Sequence, residues 1–254
     1  MDWARIEARL AQLEIQNLPF LEKIKKYWPK RRASVLVPLF HFDGKVYVLL
    51  TKRSDKLTSH SGDVCFPGGK QDEDDASLIQ TALREAEEEV GLKSEHVHVL
   101  GSMIPFFSYT KLLVFPIICR LKNLDQIRLT INRDEVEAVF ACPLDFFLSN
   151  SNHRFVKSKL DDVMLHVYNW FVPSVPTSLE NNFLQTVFGC GEHSRFIIYG
   201  LTAHMALLVA VFFWNKSVEL GGNIFEISQF LNEQKKYLQK KILHLLEITE
   251  TSKL

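Results

Sequence analysis

Chemistry-bearing side chains concentrate in one run, Arg84-Glu85-Ala86-Glu87-Glu88-Glu89-Val90-Gly91-Leu92. On a helix, positions three and four apart share a face, so Glu85, Glu88 and Glu89 point together with Arg84 to one side. Like charges at that spacing repel by roughly a few tenths of a kcal/mol per pair when exposed, and by more when they face a cleft. A cation relieves that repulsion. Hard divalent ions such as Mg²⁺ or Mn²⁺ take oxygen ligands, commonly one or two carboxylates completed by phosphate oxygens and water. Such an ion can screen the oxygens of a diphosphate and make a bound water more acidic. The run therefore suits metal-assisted phosphoryl transfer. The plain alternative is a solvated acidic helix face. Against it stand Gly68-Gly69-Lys70 upstream, where glycines allow close backbone approach, and the Gly91-Leu92 closure.

The elements that must position this run can be read from periodicity. A helix is predicted from about Ala76 to Val90, closed by Gly91. Residues 58–75 are rich in Ser, Gly and Asp and read as a loop. Ahead of them Val35, Val37, Leu39 and then Val46, Val48, Leu50 alternate around Asp43-Gly44, which predicts a β-hairpin. Residues 1–32 show helical spacing at Ile6, Leu10 and Leu13, then a basic stretch from Lys23 to Arg32, and form a helical lead-in. Strand-like runs follow at 97–101, 112–121, 135–142 and 163–172. Thr202 to Phe213 reads as a helix with Thr202 as its N-cap. Residues 224–247 read as another, with Lys235, Lys236, Lys240 and Lys241 on its wet side. The division expected is a lead-in at 1–32, one α/β domain at 33–215, and a C-terminal helix with tail at 216–254.

Composition narrows the function classes. The 254 residues carry 30 Lys plus Arg against 30 Asp plus Glu, so the chain lacks the basic field of a nucleic-acid or anionic-lipid binder. A small, discrete anionic ligand is compatible with that balance. Cys65, Cys119, Cys142 and Cys190 form no C-x-x-C pair and read as reduced thiols in a reducing compartment. The N-terminus has no basic start leading into an apolar stretch, so no secretory signal is expected. The longest apolar run, Ala206 to Trp214, is far short of the roughly 18–20 residues of a membrane span. The chain ends Ser252-Lys253-Leu254, the tripeptide that serves as a peroxisomal address. An import receptor is therefore an expected partner and the peroxisomal matrix the expected location.

Gly69 to Leu92 resembles the Nudix box: a glycine, a spacer, then Arg-Glu-apolar-x-Glu-Glu-x-Gly-apolar. Arg84, Glu85, Ala86, Glu88, Glu89, Gly91 and Leu92 match the second half in full. The spacer before Arg84 is one residue longer than usual and lacks the expected Glu, with Asp72, Asp74 and Asp75 nearby. Upstream, Leu49-Leu50-Thr51-x-Arg53-Ser54, Gly62 and Phe66-Pro67-Gly68-Gly69 are similar to the signature of the coenzyme A diphosphatase branch of that family. Thr58 stands where the pattern has a basic or amide residue. Glu135-Val136, Val139-Phe140, Pro143-Leu144 and Gly200 to Ala203 also look like this branch. With the terminal tripeptide, the whole chain resembles its peroxisomal members. The resemblance implies an α/β/α sandwich with a mixed sheet. It also implies Mg²⁺- or Mn²⁺-dependent cleavage of CoA and acyl-CoA to 3′,5′-ADP and (acyl-)4′-phosphopantetheine.

By that resemblance Glu85 and Glu89 are the metal ligands, Glu88 lies close by, one of the three helps activate water, and Arg84 orients the cluster through an ion pair. Arg53, Lys70, Gly68 and Gly69 are the expected substrate contacts, and Lys52 and Lys56 could add charge-assisted contacts. Glu135, with Glu137 as the other candidate, would supply a carboxylate beyond the box. His60 could meet a phosphate in its loop. His204 reads as a core residue and Cys65 as a packed strand residue rather than a nucleophile. Two rivals remain open: a Nudix hydrolase of ADP-ribose, NADH or another nucleoside diphosphate derivative, and a non-catalytic acyl-CoA-binding protein that keeps the fold.

Overall fold

The computed structural model describes residues 2–29, 31–108, 111–157, 164–172, 181–189 and 194–251. The alternation about Asp43-Gly44 folds as the predicted hairpin. Strands β1 (Arg32–Phe42) and β2 (Lys45–Arg53) pair antiparallel with Leu39 opposite Val48. Both turn residues have positive φ, 45° and 73°, which Asp-Gly tolerates at little cost. The 58–75 segment departs from the loop prediction. It contains β3 (Val64–Cys65), paired to β2, and β4 (Gly68–Lys70), paired to β1. Strands this short have no periodicity of their own, and tertiary pairing overrides their turn-like composition.

Strands β5 (Val97–Ser102), β6 (Phe106–Phe107), β7 (Leu113–Leu121) and β8 (Val136–Pro143) complete an eight-stranded sheet. It is mixed: β1 runs parallel to β7, while β2 with β8 and β5 with β7 are antiparallel. Alternation sends Leu36, Phe40, Leu49 and Ile117 to one face and Val37, Leu39, Val48, Leu50 and Ile118 to the other. Helices α1 (Trp3–Lys25) and α2 (Leu78–Val90) lie on opposite faces. Ala82, Ala86 and Val90 seat α2 on the Leu49 face, where α3 (Asn182–Phe188) joins it. Ile6, Leu10 and Leu13 seat α1 on the Leu50 face.

Sharing the α1 face is α4 (Gly200–Trp214), whose residues from Met205 to Phe213 are all buried. A helix apolar on every side belongs in a core. No described helix is long and apolar enough to cross a membrane. The result is an α/β/α sandwich. A second sheet flanks it, built from β9 (His153–Lys157), β10 (Met164–Phe171) and β11 (Arg195–Tyr199). A small hairpin of β12 (Val218–Leu220) and β13 (Asn223–Phe225) precedes α5 (Ile227–Thr251).

Two predicted details are corrected. Thr202 is not the N-cap of α4: Gly200, at φ 61°, turns the chain sharply from β11, and the helix starts there with Tyr199 at the cap position. The Thr202 hydroxyl instead donates to the Val64 carbonyl at 3.0 Å, pinning α4 to β3. The last helix begins at Ile227 rather than 224, because the preceding residues pair as β13. On it Lys236 and Lys240 are exposed, whereas Lys235 and Lys241 are half-buried, their ammonium groups over the rings of Phe20 and Tyr237. Cys190, the first residue of the 163–172 run, and Ser252-Lys253-Leu254 lie outside the described residues.

Candidate metal and diphosphate site

Local rules determine where the carboxylate helix begins and ends. Ser77 caps α2: its hydroxyl accepts the Gln80 N–H at 3.1 Å, and the Gln80 amide oxygen accepts the Ala76 N–H at 3.0 Å. The helix therefore starts two residues later than predicted. Gly91, at φ 70°, closes it, with its N–H on the Glu87 carbonyl and the Leu92 N–H on the Ala86 carbonyl. Two further carbonyls of the last turn take partners from a distant loop. Thr130 N–H donates to Val90 O and Asn132 N–H to Glu89 O, both at 2.9 Å. That clamp draws the 130–135 loop against α2 and brings Glu135 to the carboxylate helix.

Arg84 ties the cluster to the sheet. Its Nε and Nη2 grip Asp75 at 3.1 and 2.9 Å, Nη2 donates to the Lys70 carbonyl at 3.2 Å, and Nη1 reaches Glu85 at 3.1 Å and Glu88 at 3.0 Å. Two parallel bonds to one carboxylate are the strongest geometry such a pair has. Hydrogen bonding from Arg84 holds the buried Asp75 carboxyl well below the usual carboxylate range. Asp72 sits farther off at 3.6 Å, so Asp75 is the acid that partners Arg84.

Glu85 and Glu89 sit deeper. Glu89 is 2% exposed, accepts the Gly68 N–H at 3.2 Å, and has Arg53 Nη1 at 3.9 Å. Burial pushes its carboxyl up to about 8, against the pull of Gly68 and Arg53. Burial also raises Glu85, against the pull of Arg84. Glu135 lies close enough to add to both shifts by like-charge repulsion. Asn132 Nδ2 lies 3.4 Å from a Glu135 carboxylate oxygen. Gly69 is glycine for a steric reason. A Cβ there would stand 2.4 Å from the carboxyl carbon and both oxygens of Glu85.

The remaining singled-out residues separate clearly. Lys52 pairs with Glu137 and Lys56 with Asp134, each at 2.7 Å. His60 bonds Asp63 at 2.9 Å in an exposed loop, and Thr58 is exposed. Lys70 is exposed at the rim, while Arg53 Nε is buried with no hydrogen-bond partner among the described residues. Cys65 meets the Thr51 hydroxyl at 3.1 Å, and burial pushes its thiol up to about 11, the wrong direction for a nucleophile. His204 packs among Phe106, His166 and Phe230, and burial lowers it to about 4. Sequence reasoning missed Asn132. Its only signal was a place three residues before Glu135.

The donor set fits a hard divalent ion. Glu85 and Glu89 carry raised carboxyls beside a third acid, the Gly69 cradle keeps space for the Glu85 carboxylate, and all donors are oxygens. Among the described residues, no three acidic, His or Cys side chains close into a ready-made cage. Mg²⁺ does not need one, since it keeps several waters and takes substrate phosphates as ligands.

Comparison with known proteins identifies the family. A NUDIX domain model matches residues 30–162. The chain is 47% identical over 140 residues to Nudix hydrolase 15, mitochondrial, of Arabidopsis thaliana, covering 55% of this chain and 49% of that one. It thus spans about half the length of the plant relative. It is 36% identical over 188 residues to the peroxisomal coenzyme A diphosphatase NUDT7 of Mus musculus, covering 73% and 72%. Among solved structures, a C. elegans Ap4A hydrolase is 22% identical at a TM-score of 0.39, covering 45% of this chain and 81% of that one.

Proposed function

The chain belongs to the NUDIX family of hydrolases, and from that premise we propose that it splits the diphosphate of coenzyme A and its acyl esters into 3′,5′-ADP and (acyl-)4′-phosphopantetheine. The observation that carries the reading is the continuity of one stretch. Arg53 on β2 and Gly68 at the start of β4 both contact Glu89 of the box, so the upstream signature and the carboxylate helix meet in one site. The mouse relative, a coenzyme A diphosphatase by name, supports the substrate.

Glu85 and Glu89, with Glu88 beside them, would hold Mg²⁺ or Mn²⁺. Such an ion, when bound, screens the diphosphate oxygens and acidifies water. The chain's own groups do the rest. Arg84, braced on Asp75, holds the carboxylates of Glu85 and Glu88 in position. The glycine backbone at 68–69 lets the diphosphate approach the cleft floor. Arg53, whose Nε has no hydrogen-bond partner among the described residues, can donate to a phosphate oxygen, and Lys70 adds charge at the rim. Glu135, across from the helix, can accept the proton of the attacking water. The water oxygen ends on one phosphate, and the bridging oxygen leaves with the other. No covalent nucleophile is required.

The test is direct. The full chain is incubated with CoA and Mg²⁺, and products are identified by chromatography and mass. Appearance of 3′,5′-ADP with 4′-phosphopantetheine, abolished by a chelator, is the expected result. Cleavage of ADP-ribose or NADH without cleavage of CoA would discard the substrate, and acyl-CoA binding without turnover would discard the enzyme. A peroxisomal location accords with the mouse relative's name. Imaging a fusion that keeps Ser252-Lys253-Leu254 free would check it.

A further inference from the structure

Strand alternation places one face of the second sheet on the side of the carboxylate helix. On β2, Leu49 packs beneath α2, so Thr51 and Arg53 look the same way. Thr51 meets Cys65 on β3, and Asp63, two residues before Cys65, receives the hydroxyl of Tyr199. Tyr199 thus brings the outward face of β11 to the rim of the Arg53–Glu89 site, since the Asp63 carbonyl in turn accepts the Arg53 N–H. Register carries that face across the sheet. Tyr199 lies opposite Val167, Arg195 opposite Phe171, and Leu165 opposite Val156. The reverse face, through Tyr168, Phe196 and Ile198, is buried in the core shared with α4.

Among the described residues, Val167 at the centre of the outward face is buried, and the apolar side chains around it are open to solvent. Val156 is 40% exposed, Ile197 42%, Tyr199 41% and Phe171 54%, with Leu165 half-buried among them. Single exposed apolar residues are ordinary, but a contiguous set on one flat surface marks a binding site. Two strand spacings make it roughly 10 Å wide. Its polar members are Asn169, Arg195 and Arg154: Arg195 donates to the Asn169 amide oxygen at 2.6 Å and stacks over the Phe171 ring at 6.0 Å, and Arg154, opposite Val167, keeps its charge in solvent at the β9 edge.

We infer that this face is the rest for the fatty-acyl chain of the substrate, whose diphosphate lies at Glu85 and Glu89. The inference rests on the acyl-CoA reading of that site. A diphosphate held between α2 and Arg53 leaves the remainder of the molecule to exit over the rim, and at Tyr199 that rim becomes an apolar sheet. An alkyl chain laid there loses water-exposed surface on both partners, which is favourable in proportion to the area covered.

The experiment compares CoA with decanoyl-CoA in the presence of Mg²⁺, using the unaltered full chain, Ile197→Asp and Phe171→Ser. Ile224→Asp serves as the control, since Ile224 is 57% exposed on β13 and off the face. The two face variants should raise KM for decanoyl-CoA roughly tenfold with kcat kept, the scale of losing a methylene or so of contact. Their values for CoA, and all values of the control, should stay unchanged. Equal effects on both substrates, or none on either, would overturn the inference. Should the unaltered chain turn over neither compound, calorimetric binding of decanoyl-CoA without divalent metal separates the two failures. Binding weakened only by the face variants upholds the acyl rest and rejects the hydrolase reading, and equal or absent binding rejects the rest itself. All variants alter exposed side chains, and unchanged melting curves verify their fold.

Discussion

Gly69→Ala isolates the position of one carboxylate from everything else. The added Cβ would lie 2.4 Å from three atoms of the Glu85 carboxyl group. Non-bonded carbon contacts settle near 3.5–4.0 Å, so the carboxylate must retreat by about 1 Å. It can do so, because it is the far end of a flexible side chain and the Gly69 backbone is outside the left-handed region. The fold should therefore hold. Alanine also restricts the unfolded chain, which contributes about 0.4–1 kcal/mol in its favour and offsets part of the crowding. A displacement of about 1 Å in catalytic geometry costs on the order of a hundredfold in rate. The assay is kcat for CoA hydrolysis with Mg²⁺, alongside thermal unfolding of the same preparation. The expected pair is a kcat lowered about a hundredfold and an unchanged melting transition. Full activity in Gly69→Ala would refute the idea that Glu85 must sit where it does. Gly68→Ala is the contrasting variant. Its Cβ would meet the Ser34 carbonyl oxygen at 2.3 Å, with φ at 153°. A backbone atom cannot swing aside, so that protein should lose stability as well as rate.

Glu85→Gln keeps the shape and removes the charge. Turnover should fall by at least about a hundredfold, the upper range seen even for groups one shell from a metal, while the melting curve stays in place. Full activity in this variant would remove Glu85 from the site. Asp75→Asn should act on stability, because it takes the paired charge from Arg84 and weakens a buried bidentate contact. A loss of about 1–3 kcal/mol in a urea titration is expected, and no change would show that Glu85 and Glu88 suffice to anchor the guanidinium. The last prediction concerns acid. Burial holds His166 down to about 3 and His204 to about 4, from 6.5. Each is neutral in the fold but takes a proton in the unfolded chain below 6.5, so their contribution is complete above pH 6.5. It is lost progressively as pH falls toward 4 and then 3. Replacing His204 with Phe should flatten the decline of the melting temperature between pH 6.5 and 4, and an unaltered slope would count against this assignment.

Local patterns made much of the architecture legible. The hairpin about Asp43-Gly44 needed only alternation and a turn pair, and the end of α2 needed only Gly91, whereas its start under the Ser77 cap lay two residues past the expected one. The carboxylates at 85, 88 and 89 could be assigned to one helix face because helical geometry is the same in every protein. Conformational preferences within a few residues decide such features, so they survive without knowledge of the rest of the chain.

Pairings between distant segments were a different matter. That Asp75 rather than Asp72 grips Arg84 depends on how the 70–77 segment crosses the helix. That Glu135 reaches the cluster depends on two hydrogen bonds from Thr130 and Asn132 to the last turn of α2. The start of α4 at Gly200, not Thr202, follows from the strand feeding into it. Burial completes the contrast. Glu88 and Glu89 are neighbours of one residue type, yet Glu88 is half in solvent beside Arg84, while Glu89 lies under Gly68 with its carboxyl pushed up to about 8. Residue type and spacing say which groups can share a face. How much water each keeps is set by the elements packed over them, and only the assembled sandwich supplies those.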